Sequence, residues 1–103
     1  MRPKAGLDLD AQAYFYAVEA NPELGHRFLS AAADTFALLA TQPEMGWWPR
    51  LRTPALESVR IFRVRGFEKM LILYPALPDG IEILRVLHAS RNLQALLRRE
   101  GLG

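Results

Sequence analysis

Apolar positions in the first forty residues recur with the spacing of helix faces. Leu7, Ala11, Tyr14 and Val18 follow at intervals of four, three and four, with Phe15 beside them, and predict a first helix with that stripe as its core face. Asn21-Pro22-Glu23 starts a second helix, because Asn caps well and Pro is tolerated at the first helical position. Its core stripe is Leu24, Phe28, Ala32, Phe36 and Leu39, with Leu29 and Ala40 alongside and Asp34 exposed. Asp8 or Asp10 suits the positive end of the first helix, and Glu23 that of the second. With almost no linker between them, the two predict an antiparallel helical hairpin.

Residues 42–58 read as loop, since Pro43, Gly46, Pro49 and Pro54 interrupt any regular element. Trp47 and Trp48 lie in this loop, at least one of them as a lid on the core. The period then shortens. Residues 59–65 are β-branched and aromatic with Arg interleaved, Gly66-Phe67 makes a tight turn, and Met70 to Tyr74 is nearly continuous apolar sequence. Such a run suits a central strand buried on both faces. Pro75 ends it, Pro78-Asp79-Gly80 is a turn, and Ile81 to His88 forms a third strand. Short connections make the three strands an antiparallel meander. A last short helix runs roughly from Arg91 to Glu100, with Leu93, Leu96 and Leu97 on one face and Gly101 as its stop.

The predicted architecture is α+β: an N-terminal antiparallel helical hairpin packed on a small twisted antiparallel sheet, with a short C-terminal helix. The other sheet face, or its edge, is left for arginines and a partner. The length predicts a single domain over residues 1–103.

Composition narrows the classes. Half the residues are hydrophobic and 23% are charged, which excludes a disordered tail. Without cysteine, a disulfide scaffold, a thiolate nucleophile and Cys-based metal sites are excluded. His26 and His88 are the only histidines, so no metal site and no cofactor is expected. No apolar run approaches the roughly 20 residues that span a bilayer. Met1-Arg2-Pro3-Lys4 leads into Asp8 and Asp10 and not into an apolar segment, so no signal peptide and no membrane association are expected, and the expected location is cytoplasmic. Charge is uneven. Residues 1–49 hold three basic and six acidic groups, net −3, and residues 50–103 hold ten and five, net +5. That field favours an anionic partner, such as nucleic acid or an acidic protein segment; the plain alternative is a solvated basic face.

The order of elements carries particular residues: Asp8-Leu9, Asn21-Pro22, Arg27-Phe28, Thr35-Phe36, Pro43-Glu44-Met45-Gly46, Val64-Arg65-Gly66-Phe67, Leu71-Ile72-Leu73-Tyr74 and Asp79-Gly80-Ile81-Glu82. The most specific block is Arg85-Val86-Leu87-His88 followed by Arg91-Asn92-Leu93. Over about ninety residues this series resembles the RelE/ParE superfamily of bacterial type II toxins, closest to its ParE-like branch. Family members usually begin with a short strand, which Met1 to Lys4 leaves almost no room for, so that strand is expected to be truncated or absent. Trp47-Trp48 also departs from the more polar loop of many relatives.

The resemblance implies one of three functions. ParE-like members bind DNA gyrase and trap it on cleaved DNA, which needs an interaction surface and no acid–base pair. RelE-like members cut messenger RNA on the ribosome, which needs proton transfer and neutralised phosphate charge. The third is an inactive remnant acting only through its antitoxin. In each, a cognate antitoxin is the protein partner and a hetero-oligomer is expected. His88 is the main acid–base candidate, with Arg85 or Arg91, and the competing role is a structural histidine at a strand end. Tyr74 and Glu82 are weaker candidates beside core and surface roles. Arg60, Arg63, Arg65, Arg85 and Arg91, with Trp47 and Trp48, are the partner-binding candidates; by alternation Arg63 and Arg65 share a face and Arg60 takes the other. Lysines are few and no Tyr or His ends the chain, so the gyrase-directed, non-enzymatic reading is favoured over the nuclease.

Overall fold

A computed structural model describes residues 1–49 and 58–91. Its elements are helices α1 (Pro3–Glu19) and α2 (Pro22–Thr41), a 3-10 turn at Pro43–Met45, and strands β1 (Val59–Val64), β2 (Phe67–Leu77), β3 (Gly80–Ile81) and β4 (Arg85–His88). The C-terminal helix expected from about Arg91, and Pro54 of the loop, lie outside the described residues.

α2 starts as its sequence predicts. Asn21 Oδ1 accepts the Leu24 N–H at 2.8 Å and Pro22 takes the first helical position. α1 starts earlier than its acidic residues suggested, at Pro3 after Arg2, so Asp8 lies inside the helix and does not cap it. No strand precedes α1 among the described residues; the Arg2 N–H donates to Ile83 O at 2.9 Å, and its guanidinium meets Glu82 at 3.1 Å.

The inward face of α1 is the main correction to the sequence reading. Ala5 and Leu9 are buried, with Ala13 and Tyr16 packed beside them, while Leu7, Tyr14, Phe15 and Val18 are exposed. The cause is close helix packing. Gly25 of α2 sits so near α1 that a Cβ there would lie 2.7 Å from the Ala13 carbonyl oxygen. Only the small residues of α1 fit that approach, so the larger stripe turns outward.

β2 is the central strand, paired antiparallel with β1 on one side and with β3 and β4 on the other. The third row is interrupted. Ile81 pairs with Ala76 and Arg85 with Leu73, so four steps on this row match three on β2. The extra residue is a bulge, and it lets Ile83 and Val86 both face the helices. It also explains why β2 continues past Pro75 to Leu77 instead of ending there. Pro75 O accepts from Glu82 N at 3.4 Å, so its missing N–H falls at the bulge. At the other hairpin Val64 pairs with Phe67 across Arg65-Gly66, with Gly66 at φ +84°. Three residues of β2 after Phe67 then have no β1 partner before Leu71 meets Arg63. This odd-numbered excess reverses the side that Phe67 takes. It joins Tyr16 and Phe28, with all three ring centroids 5.2 Å apart.

Both sheet faces are apolar. Val64, Met70, Ile72, Tyr74, Ile83 and Val86 meet Phe28, Ala32, Leu39, Ala5 and Leu9. Val59, Ile61, Leu71, Leu73, Leu84 and Leu87 form a second buried cluster on the opposite side. The second face is therefore core, and the arginines are left with the β1 edge.

Candidate functional site

The β1 edge gathers five of the seven partner-binding candidates. Trp47 and Ile61 exchange backbone hydrogen bonds of 2.8 Å in both directions, so one residue of the loop extends the sheet beyond β1. Opposed residues share a face, which places Trp47 beside Arg63, two positions along from Ile61. The Arg63 guanidinium lies 4.7 Å from the Trp47 ring centroid, and Arg60, on the alternate face, lies 4.0 Å from that of Trp48. Each such stack is worth about 0.5–1 kcal/mol when exposed. Two consecutive tryptophans thus meet arginines on both sides of one strand, each ring still over a third exposed.

Buried contacts below hold this edge in place. Tyr74 donates its hydroxyl to Pro43 O at 2.8 Å and accepts the Gly46 N–H at 2.9 Å. Arg60 Nη1 donates to Gly46 O at 2.8 Å. A Cβ at Gly46 would stand 2.8 Å from Ile61 O, so any side chain there forces the loop off the strand. Burial pushes the Tyr74 hydroxyl above its ordinary pKa, while the Gly46 N–H and the Arg60 charge pull it down. Tyr74 is fully buried and works as a strut for the Trp47 loop.

Arg65 stands at the hairpin tip with its side chain exposed and its N–H donating to Thr35 Oγ1 at 3.2 Å. The buried Thr35 hydroxyl in turn donates a hydrogen bond to Ala31 O at 2.7 Å, tying the hairpin to α2. Trp47, Phe62, Arg63, Arg65 and Glu68 line a shallow cleft of about 220 Å³. Glu68 meets Arg63 at 3.8 Å with both side chains exposed, an ion pair of little energetic weight.

The other candidates lie across the sheet. Arg85 forms a two-pronged pair with Asp8, at 2.7 and 2.8 Å, and Asp8 also accepts the Val86 N–H at 3.0 Å. Both side chains are nearly buried, at 12% and 13% exposure. The Asp8 hydrogen bonds raise the Arg85 pKa above its usual value, against burial, which lowers it. Asp8, 77 residues away in sequence, supplies this pairing. His88 is half-buried at the end of β4, where its Nδ1 accepts the Ser90 N–H at 3.0 Å with Ser90 Oγ at 2.7 Å. The Arg91 N–H closes the same turn on His88 O at 3.0 Å, and the Arg91 side chain is exposed. His26 is exposed on α2. Among the described residues no three His, Asp or Glu side chains group as a metal site, and no helix is long and apolar enough to cross a membrane.

Residues 1–93 match the family model described as the ParE toxin of type II toxin–antitoxin systems, parDE. No curated protein matches the chain.

Proposed function

The chain belongs to the ParE toxin family of type II toxin–antitoxin systems, and from that premise we propose that it arrests growth in the cytoplasm by binding and poisoning DNA gyrase, without catalysis of its own, until a cognate antitoxin neutralises it. The family implies an antitoxin partner. The observation that carries the non-enzymatic reading is the separation of the acid–base candidates. The Nδ1 of His88 holds Ser90, Arg85 is engaged by Asp8, and Tyr74 is buried beneath the Trp47 loop. Ribosome-dependent cleavage would need such groups to converge on one 2′-hydroxyl and its phosphate.

Purified toxin tested for gyrase supercoiling with cleavage-complex formation, and in parallel for ribosome-dependent mRNA cleavage, separates the two targets. The His88→Gln variant is expected to keep both growth arrest and cleavage complexes. A folded His88→Gln protein that has lost toxicity together with RNA cleavage would put a nuclease in place of this reading.

The β1 edge is the surface proposed for the antitoxin. Arg63 and Arg65 supply positive charge beside exposed indole rings, which suits an acidic segment that also carries apolar side chains. Reversing both, Arg63→Glu with Arg65→Glu, is expected to weaken the complex at least about tenfold at low salt, with the difference shrinking as salt screens exposed charges over about 10 Å at 0.1 M. Unchanged low-salt affinity, read by titration calorimetry, would move the antitoxin to another face.

A further inference from the structure

The outward side of α1 carries Leu7, Tyr14, Phe15 and Val18 at 68%, 72%, 53% and 60% exposure, with exposed Ala11 among them. At about 100° per residue, this stripe lies diametrically opposite Ala5, Leu9 and Tyr16, which face the core. A helix apolar on two opposite sides has the pattern of an element buried on both. The four-three-four spacing from Leu7 to Val18 is also that of a two-helix coiled-coil seam. We propose that this seam is a self-association surface, in which α1 of one copy packs antiparallel on α1 of a second copy about a two-fold axis.

The seam complements itself in that direction only. With the axis between Ala11 and Tyr14, Leu7 of one copy opposes Val18 of the other, and the small Ala11 opposes the large Tyr14, each contact occurring twice. Parallel pairing would set ring against ring and methyl against methyl, leaving a clash beside a gap. Charge agrees. Lys4 lies one turn before the seam and Glu19 directly after it, so antiparallel pairing brings opposite charges together at both ends. The helix dipoles also oppose favourably. At roughly 200 Å² per aromatic side chain, the exposed parts of Tyr14 and Phe15 come to about 250 Å². With Leu7, Ala11 and Val18, two copies bury about 1,000 Å², the size at which specific but weak interfaces begin.

Sedimentation velocity of the full chain over a concentration series tests this directly. The expected result is a concentration-dependent dimer whose dissociation constant rises at least about tenfold in the Tyr14→Glu variant. Tyr14 is mostly exposed, so the variant should keep the parent circular dichroism. Because the chain has no cysteine, cross-linking reads the direction. Leu7→Cys mixed with Val18→Cys should oxidise to a mixed dimer, while neither variant pairs with itself. The two copies of position 7 stand about 16 Å apart along the axis, beyond the reach of a disulfide. Self-pairing of each variant would overturn the antiparallel arrangement. A monomer at every concentration would overturn the proposal, and protection of the stripe by the antitoxin would then assign it to an antitoxin helix.

Discussion

Asp8→Ala is expected to lower the unfolding free energy by about 3 kcal/mol, read as a shifted midpoint in urea. The carboxylate receives two guanidinium N–H groups from Arg85 and the backbone N–H of Val86, in a position with little access to water. Removing one member of such a pair leaves the other charge in a poor environment, which typically costs about 3–5 kcal/mol when burial is complete. The residual exposure of both side chains puts the expected loss at the lower end. The effect belongs to the pair. The double variant Asp8→Ala with Arg85→Met should therefore lose clearly less than the two single losses added together. Simple additivity would mean that the two side chains stabilise the fold independently. The pair also joins the middle of α1 to the start of β4, so the variant should loosen the helical hairpin on that edge of the sheet.

Phe28→Ala is expected to cost about 3–5 kcal/mol, most of the stability of a domain this small. The side chain is fully buried and meets Tyr16 from α1 and Phe67 from β2, so one truncation opens a cavity where both helices and the sheet converge. Phe36, only partly buried against the same cluster, should lose less on truncation. Asp34 is exposed on the same helix and serves as the control. Asp34→Ala should change stability by under about 0.5 kcal/mol. Thermal unfolding that found Asp34→Ala as damaging as Phe28→Ala would mean that α2 presents another face to the sheet. Toxicity should fall with Phe28→Ala through loss of folded protein, although the residue lies away from the β1 edge.

Much of the fold is legible along the chain because its signals are local. The Asn21-Pro22 start, the tight turn beside Gly66, the Pro78-Asp79-Gly80 turn and the Met70 to Tyr74 run each act within a few residues, and each appears where it was expected. Arg63 and Arg65 line one cleft, while Arg60 meets Trp48 on the alternate face of β1. The pairing of both tryptophans with arginines was not legible. It depends on Trp47 docking against Ile61, which nothing in the loop composition announces. Nor did a pattern mark the bulge beside Pro75, because a one-residue offset shows only when two strands are aligned.

By itself, the sequence determined the order of the two helices and the strands, the α+β class, the meander and the likeness to ParE toxins, because capping, turn chemistry and hydrophobic period act over short spans. It also placed Phe28 correctly, since α2 has a single apolar stripe. α1 has two, and no count of apolar positions chooses between them. Tertiary structure made that choice through steric fit: Gly25 admits Ala13 at close range, so the larger residues turn to the outside. The partner of Arg85 was decided in the same way. All ten other acidic residues lie nearer to it in sequence, yet Asp8 takes it because the packing of α1 beside β4 brings its carboxylate within 2.7 Å. Local preferences settle which elements form. Which faces meet, and which charges they bring together, depends on contacts that exist only after the chain has folded back on itself.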